Sequence, residues 1–336
     1  MEMSKIKKIM KIGTVCMTAI VLMTACSSQT AVNETVGAGE EMITIGVMQI
    51  VEHPALDAAR EGFVEGLNSE GFEGKVKFIN KNAQGDMATA QLIAGGFVDD
   101  KVDMIYAIAT PTAQAAFNAT KEIPIMISAV TDPVAAGLVK SNEIPGTNVS
   151  GTSDEAPIDL QLQLLKDLGV EAKTIGFIYS TSEKNSEVQL EMLKIEAAKV
   201  GVTVEAMGIT SLTEIEQGLD VLLDKVDVLY TPTDNMVASA IQLVTSKALN
   251  KLVPVLGAEV AHVEGGALAT CGVDYFELGR QTGIMAAKVL NGEDISTLAI
   301  QKAQNPEITI NRTTADALGL TISDELAGRS SEIGAE

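Results

Sequence analysis

Three turns in this chain have the makings of anion seats. Thr110-Pro111-Thr112 sets a capping hydroxyl beside a proline in the first helical turn, Thr131-Asp132-Pro133 offers Asp132 as the cap, and His53-Pro54 opens a helix in the same style. The free N–H groups at such a start carry about half a positive charge, enough to hold a carboxylate. A second set has the opposite sign. Asp154, Asp234 and Asp274 sit among small residues, in Gly151-Thr152-Ser153-Asp154, Thr233-Asp234-Asn235 and Cys271-Gly272-Val273-Asp274. Carboxylates gathered at the mouth of a cleft suit an ammonium, so the two sets together suit a zwitterion. Each feature also has a plainer role: the prolines start helices, and Asp234 and Asp274 cap the helices that follow them.

Catalytic chemistry has weaker support. No G-x-S-x-G elbow, Walker A loop, H-E-x-x-H or paired C-x-x-C occurs. Gly95-Gly96 falls inside a helical pattern and no G-x-G-x-x-G opens the first helix, which disfavours a dinucleotide enzyme. His53 and His262 lie 209 positions apart with no nucleophile near either, and His262 reads as a surface or cleft-rim residue. With 2 His and 3 Cys, neither a His-rich metal site nor a disulfide scaffold is expected, and no cofactor. A formal charge of −21 and an aromatic content of 3% argue against a nucleic-acid partner, which needs a basic face or a stacking platform.

Bringing such turns together requires more than one core. The 336 residues, 46% of them hydrophobic, fit two domains at about 100–200 residues each. The chain opens differently. Lys5, Lys7, Lys8 and Lys11 form a basic patch, and residues 12–25 are apolar but shorter than the roughly 20 needed to span a bilayer. Leu22-Met23-Thr24-Ala25-Cys26 ends the stretch as a bacterial lipobox does, with Met23 where Leu is commonest, so residues 1–25 read as a lipoprotein signal peptide and Cys26 as the lipidated residue. The plainer alternative is an ordinary signal peptide with an incidental Cys. Cleavage before Cys26 would leave a charge of −24 and Cys271 as a lone thiol. Residues 26–42 read as a flexible tether.

Beyond the tether, short β-branched runs alternate with amphipathic helices, the pattern of parallel sheets covered on both faces. Strands are expected at 43–48, 76–79, 104–108 and 123–128, with helices at 54–68, 87–99 and 112–119. A second series places strands at 174–179, 202–205, 226–230, 253–256 and 267–271, with helices at 157–168, 187–200, 212–223 and 235–249. The halves echo each other. Val102-Asp103-Met104-Ile105-Tyr106 matches Val226-Asp227-Val228-Leu229-Tyr230 at an offset of 124, and Ile123-Pro124-Ile125-Met126 matches Val253-Pro254-Val255-Leu256 at 130. A strong helix at 275–290 ends in Asn291-Gly292, followed by a short strand at 307–310 and a short helix at 313–318. The fold expected is α/β, two doubly wound Rossmann-like lobes joined by a multi-strand hinge. Lobe 1 takes residues 43–152 and 274–304, lobe 2 takes 153–273 and 305–326, and residues 327–336 read as a disordered tail.

Several blocks, in order, carry a likeness. Gln49-Ile50-Val51-Glu52-His53-Pro54-Ala55-Leu56-Asp57-Ala58-Ala59-Arg60, Asn82-Ala83-Gln84-Gly85-Asp86, Ala107-Ile108-Ala109-Thr110-Pro111-Thr112-Ala113-Gln114 and Val130-Thr131-Asp132-Pro133-Val134 lie in the first half. Pro232-Thr233-Asp234-Asn235, Gly266-Ala267-Leu268-Ala269-Thr270 and Tyr275-Phe276-Glu277-Leu278-Gly279-Arg280-Gln281-Thr282 lie in the second. From about residue 43 to 320 the chain resembles the ABC-transporter substrate-binding proteins typified by tryptophan- and tyrosine-binding lipoproteins. Gly257-Ala258-Glu259-Val260-Ala261-His262-Val263-Glu264 departs from the Gly- and Glu-rich form expected there. The resemblance implies a type I periplasmic-binding-protein-like fold with a ligand cleft between its lobes. It places Thr110, Thr112, Ser128, Thr131 and Asp132 on the first wall and Tyr179, Asn185, Asp234 and Asn235 on the second. Asp154 and Asp274 lie near the crossovers, and Glu52 belongs to the first block. It also implies a monomer that gives a small ligand, most simply an aromatic amino acid, to a membrane permease and its ATPase. The alternative is an exported ligand-sensing receptor or an enzyme on the same fold.

Overall fold

The computed structural model describes residues 42–303 and 306–334; the signal segment, Cys26 and the tether up to residue 41 lie outside them. The chain begins with β1 (Ile43–Gln49), α1 (Pro54–Leu67), β2 (Val76–Asn82), α2 (Met87–Asp99), β3 (Met104–Ile108), α3 (Thr110–Ala119), β4 (Ile125–Ser128) and β5 (Val149–Ser153). It crosses into α4 (Ile158–Asp167), β6 (Thr174–Ser180), α5 (Lys184–Lys199), β7 (Thr203–Ile209), α6 (Leu212–Leu222) and β8 (Val228–Thr231). There follow α7 (Asn235–Ser239), α8 (Ile241–Asn250), β9 (Val255–Gly257), α9 (Val260–Glu264) and β10 (Ala269–Gly272). The chain then returns through α10 (Tyr275–Leu290) and β11 (Gln301–Lys302), and closes with β12 (Glu307–Asn311), α11 (Arg312–Ala317), α12 (Asp324–Ala327) and β13 (Ser330–Ile333).

Two sheets result. The first runs β11-β5-β4-β3-β1-β2 and the second β13-β12-β10-β9-β8-β6-β7, parallel throughout except where β12 opposes β10. The sequence echo has a physical basis. In the first sheet Asp103 accepts from the Thr44 amide at 2.7 Å, and in the second Asp227 accepts from the Thr174 amide at 2.9 Å. The Ile105 amide donates to the Pro124 carbonyl, and the Leu229 amide to the Pro254 carbonyl, each at 2.9 Å. Tyr106 and Tyr230, the matched tyrosines, are both fully buried; one stacks on Phe63 at 3.8 Å and the other on Phe177 at 5.7 Å.

Three expectations need correction. Residues 327–336 are not a disordered tail as far as Gly334: β13 pairs in parallel with β12, and the Arg312 guanidinium holds Glu332 with a two-pronged bond at 2.7 and 2.8 Å. Ser330-Ser331-Glu332-Ile333, three polar residues and one apolar, carry no hydrophobic alternation, so only the pairing makes them a strand. The helix expected at 235–249 breaks at Ala240, whose φ of −113° is not helical, into α7 and α8. β5 has no counterpart in the sequence reading, because Val149-Ser150-Gly151-Thr152-Ser153 lacks the apolar run that marks a buried strand.

The return helix docks on α1 by backbone contact. Gly62 and Gly66 on α1 face Gly279 and Gly283 on α10. A Cβ at Gly279 would stand 1.9 Å from the Ala59 carbonyl oxygen, and one at Gly62 would stand 1.9 Å from that of Phe276. Gly279→Ala should therefore force the helices apart, destabilising by at least about 1–3 kcal/mol and lowering the thermal midpoint by several degrees. Gly95→Ala in α2, where an added Cβ meets nothing within 4 Å, should hold or raise the midpoint. Equal midpoints for the two variants would mean that α1 and α10 have room to spare.

Candidate functional site

In both sheets the carboxyl ends of the strands point to the line where the lobes meet, the usual ligand position in open α/β sheets. Hydrogen bonds cross that line. Gln189 on α5 donates to the Thr131 hydroxyl at 3.3 Å and also bonds the Thr233 hydroxyl, and the two hydroxyls stand 3.3 Å apart. Further along, the side-chain amide of Asn235 joins His53 to Glu183: its Oδ1 lies 3.4 Å from His53 Nε2, and its Nδ2 donates to Glu183 Oε2 at 2.5 Å. His53 and Glu183 hold equivalent places, each the residue before the helix that follows the first strand of its lobe, β1 and β6. The turns on the first wall are strained. Ala109 has a φ of +84° and Ala129 one of +56°, unusual for a residue with a Cβ and common where a site fixes its backbone.

Near the crossovers, ionisable groups are sealed from solvent. The Tyr275 hydroxyl donates to Asp154 Oδ2 at 2.7 Å and also faces the Glu259 carboxyl. His262 lies with Nδ1 3.0 Å from the Thr231 hydroxyl and Nε2 3.3 Å from Glu259 Oε1. Burial, reinforced by Asp154, pushes the Glu259 carboxyl up to about 8, and burial raises that of Asp154. Burial likewise pushes His53 down to about 4 and His262 to about 3. At neutral pH the imidazoles are thus uncharged. A proton on His53 Nε2 would donate to Asn235 Oδ1 and leave Nδ1 an acceptor. His53 Nδ1, Asp154 Oδ1, Glu259 Oε1 and Thr110 Oγ1 are buried without a hydrogen-bond partner. Burying an unpaired polar atom is unfavourable by about 1–3 kcal/mol, so such a set marks a place made for something else.

Beside it lies a cavity of about 150 Å³ lined from the first lobe by Ile50, Met87 and Pro111 and from the second by Glu183, Leu212 and Met236. Glu183 accepts from the Asn235 and Met236 amides at 3.1 and 3.3 Å and from Asn185 Nδ2 at 3.2 Å. Burial and the neighbouring Asp234 push its carboxyl up to about 8.

The residues singled out in the sequence fall into two groups. Thr110, Thr131, Asp154 and Asn235 stand at the junction, and Asn185 braces it by donating to Glu183 and to the Thr233 carbonyl. The others do different work. Asp234 spends both oxygens inside its own lobe, on the Val237 and Ser180 amides and the Ser186 hydroxyl, so it ties α7 to the end of β6. The Thr112 hydroxyl rests 2.6 Å from the Ile108 carbonyl. Ser128 bonds Thr282 at 2.7 Å against α10, and Tyr179 packs on Phe177. Asp132 caps the turn at Val134 and Ala135, Asp274 caps α10 and is exposed, and Glu52 is exposed beside His53. His262, expected at the surface or rim, is fully buried. Sequence reasoning missed Glu183, Glu259, Gln189 and Tyr275 as site residues. The repeat held a signal for two of them: an offset of 130 sets Glu183 opposite His53, and Glu259 opposite the strained Ala129.

Known proteins match this architecture. The sequence pattern of the family described as ABC transporter substrate binding protein fits residues 44–333. A tyrosine-binding protein of Clostridioides difficile is 44% identical over 324 residues, covering 95% of this chain and 94% of that relative. The ABC domain of Streptococcus pneumonia solved in complex with L-Trp is 37% identical with a TM-score of 0.84, over 87% of this chain and 99% of that one. The ligand-free, open structure of a Clostridium difficile substrate binding protein with adhesive properties is 49% identical, over 88% and 100%, yet its TM-score is 0.69. Despite the lower identity, the chain superposes better on the structure solved with L-Trp than on the ligand-free, open one. Two lobes of this topology are the type I periplasmic-binding-protein fold, and the chain belongs to the ABC transporter substrate-binding protein family.

Proposed function

We propose that this chain captures an aromatic L-amino acid between its lobes and passes it unchanged to an ABC permease and its ATPase, tethered to the outer face of the membrane by lipid on Cys26. The observation that carries the ligand class is the set of buried acceptors without partners. Three of them, His53 Nδ1, Asp154 Oδ1 and Glu259 Oε1, need a group rich in donors, which an ammonium is. The carboxylate then goes to the start of α3, where the Thr110 hydroxyl is unpartnered and the first-turn N–H groups have no helical partners. The names of the relatives, one tyrosine-binding and one solved with L-Trp, support the aromatic side chain. Closure follows from contacts made by one ligand to both walls, which favour the shut state.

Titration calorimetry with L-Trp and L-Tyr should give saturable binding, with the ligand recovered intact by mass spectrometry; a converted product would turn the reading towards an enzyme. Glu259→Gln should weaken binding by about 2–5 kcal/mol, the usual loss when a buried charge is left unpaired. Asp234→Asn should act on stability first. Equal affinity for wild type and Glu259→Gln would move the ammonium away from this carboxylate.

The raised carboxyls make the empty cleft sensitive to pH. A carboxyl whose value rises on folding contributes stability below its unfolded value, about 4.5 for Glu, and loses it as pH climbs towards its folded value near 8. The lowered imidazoles act the other way, contributing above about 6.5 and losing it as pH falls towards 4. Above pH 6.5 only the carboxyls still change. The thermal midpoint of the ligand-free protein should therefore fall between pH 6.5 and 8, and fall less in Glu259→Gln; parallel curves would show that Glu259 is already ionised.

For the anchor, Cys26→Ala should shift the protein in fractionated cells from the membrane to the soluble or unprocessed pool. Full membrane retention of a correctly cleaved variant would sink the lipid attachment while leaving the ligand reading intact.

A further inference from the structure

An aromatic ligand needs a wall for its ring, and the cavity between the lobes is lined without a single aromatic side chain. Its apolar lining is aliphatic and thioether: Ile50, Met87 and Pro111 on one side, Leu212 and Met236 on the other. Leu212 is 55% exposed, a large apolar side chain left at the cleft rather than packed in its own lobe. Met87 opens α2 and Met236 is the second residue of α7, so each lobe contributes one methionine from the start of a helix. Both are half-buried. Asn235 lines the same cavity and also bonds His53, which puts the cavity next to the unpartnered acceptors described above.

Resting on the amino-acid reading, we infer that Met87 and Met236 select the aromatic side chain, one thioether from each lobe gripping the ring as the cleft shuts. Methionine is suited to this work. Its sulfur is polarizable and makes favourable contacts with aromatic rings, here placed over the two ring faces, and its unbranched chain adapts to rings of different width. A pocket of fixed aromatic walls would favour one ring size; a methionine pair admits both a phenol and an indole. The grip also needs closure, because neither lobe alone supplies both sulfurs.

The test uses the full chain labelled with 13C in its methionine methyl groups, of which the sequence has 14. Met87→Leu and Met236→Leu identify the two signals by their loss. On saturation with L-Trp, followed by calorimetry on the same sample, both methyls should move upfield through the ring current of the indole. Met87→Ala and Met236→Ala should each weaken L-Trp and L-Phe binding by about two- to tenfold, the range set by one sulfur–ring contact. Saturable binding with neither methyl moving upfield would overturn the inference and leave the amino-acid reading standing. Movement of one methyl alone would overturn the two-lobe grip. Absence of binding of both L-Trp and L-Tyr would overturn the amino-acid reading, and the inference with it, whereas binding of L-Tyr without L-Trp would overturn only the claim that the methionine pair admits both rings.

Discussion

The side-chain amide of Asn235 is the hinge pin of the electrostatics. Its oxygen faces an imidazole from the first lobe and its nitrogen faces a carboxyl from the second, so its orientation is set by both lobes at once. An amide can satisfy a donor and an acceptor simultaneously only when they lie on its two ends. Here they do so only while His53 and Glu183 stand on either side of it. If the lobes parted, His53 would lose its partner, and Glu183 would keep its contacts to Asn235, Met236 and Asn185 within one lobe. The second lobe is thus organised in advance, and the first lobe is what closure adds.

That asymmetry extends to the rest of the junction. Gln189 belongs to the second lobe and reaches Thr131 in the first, while Tyr275, following the return crossover, ties Asp154 of the outgoing crossover. Polar contacts of this kind are individually modest, about 0.5–1.5 kcal/mol net, and each exchanges for water when the cleft opens. Large apolar area is spent inside the lobes instead, on the Phe63–Tyr106 and Phe177–Tyr230 stacks and on the glycine contact between α1 and α10. Rigid lobes joined by exchangeable polar contacts are what a binding protein needs in order to move as two bodies.

The fold was largely legible in the sequence because buried parallel strands must be apolar and must be separated by helices. The Asp103 and Asp227 repeats carried the rest, since each pins the start of its neighbouring strand. β5 and β13 escaped because their stability lies in pairing with a neighbour, which composition does not record. The site was less legible for a related reason. Asp234 and Glu183 are both acids following strands in the second lobe, and nothing in residue type says which of them reaches the cavity. Both are met by donors of their own lobe, three for Asp234 and four for Glu183, but only Glu183 also lines the cavity. His262 was misplaced because an imidazole is rarely so buried; its fit depends on the Thr231 hydroxyl at the end of β8 and on the neighbouring Glu259 carboxyl at the start of its own helix, α9.

A charge of −21 is at odds with the carboxylate of the proposed ligand, and the junction offers a local resolution. Exposed acids act through water and salt, and their field fades over about 8–10 Å at physiological ionic strength. Inside the junction the relevant acids are not four full negative charges, because burial holds Glu183 and Glu259 up to about 8 and raises Asp154 and Asp234 as well. The empty site is therefore far less repulsive to an anion than its residue types suggest. An entering ammonium would favour the ionised form of the nearest carboxyl, and the charge pair would form only where the ligand itself supplies the cation. Discrimination follows from the same arrangement. On the proposed reading, a ligand without an ammonium would leave the acceptors unpaired, and one without a carboxylate would leave the start of α3 and Thr110 unmet, so both ends of a zwitterion would be needed before closure satisfied the seam.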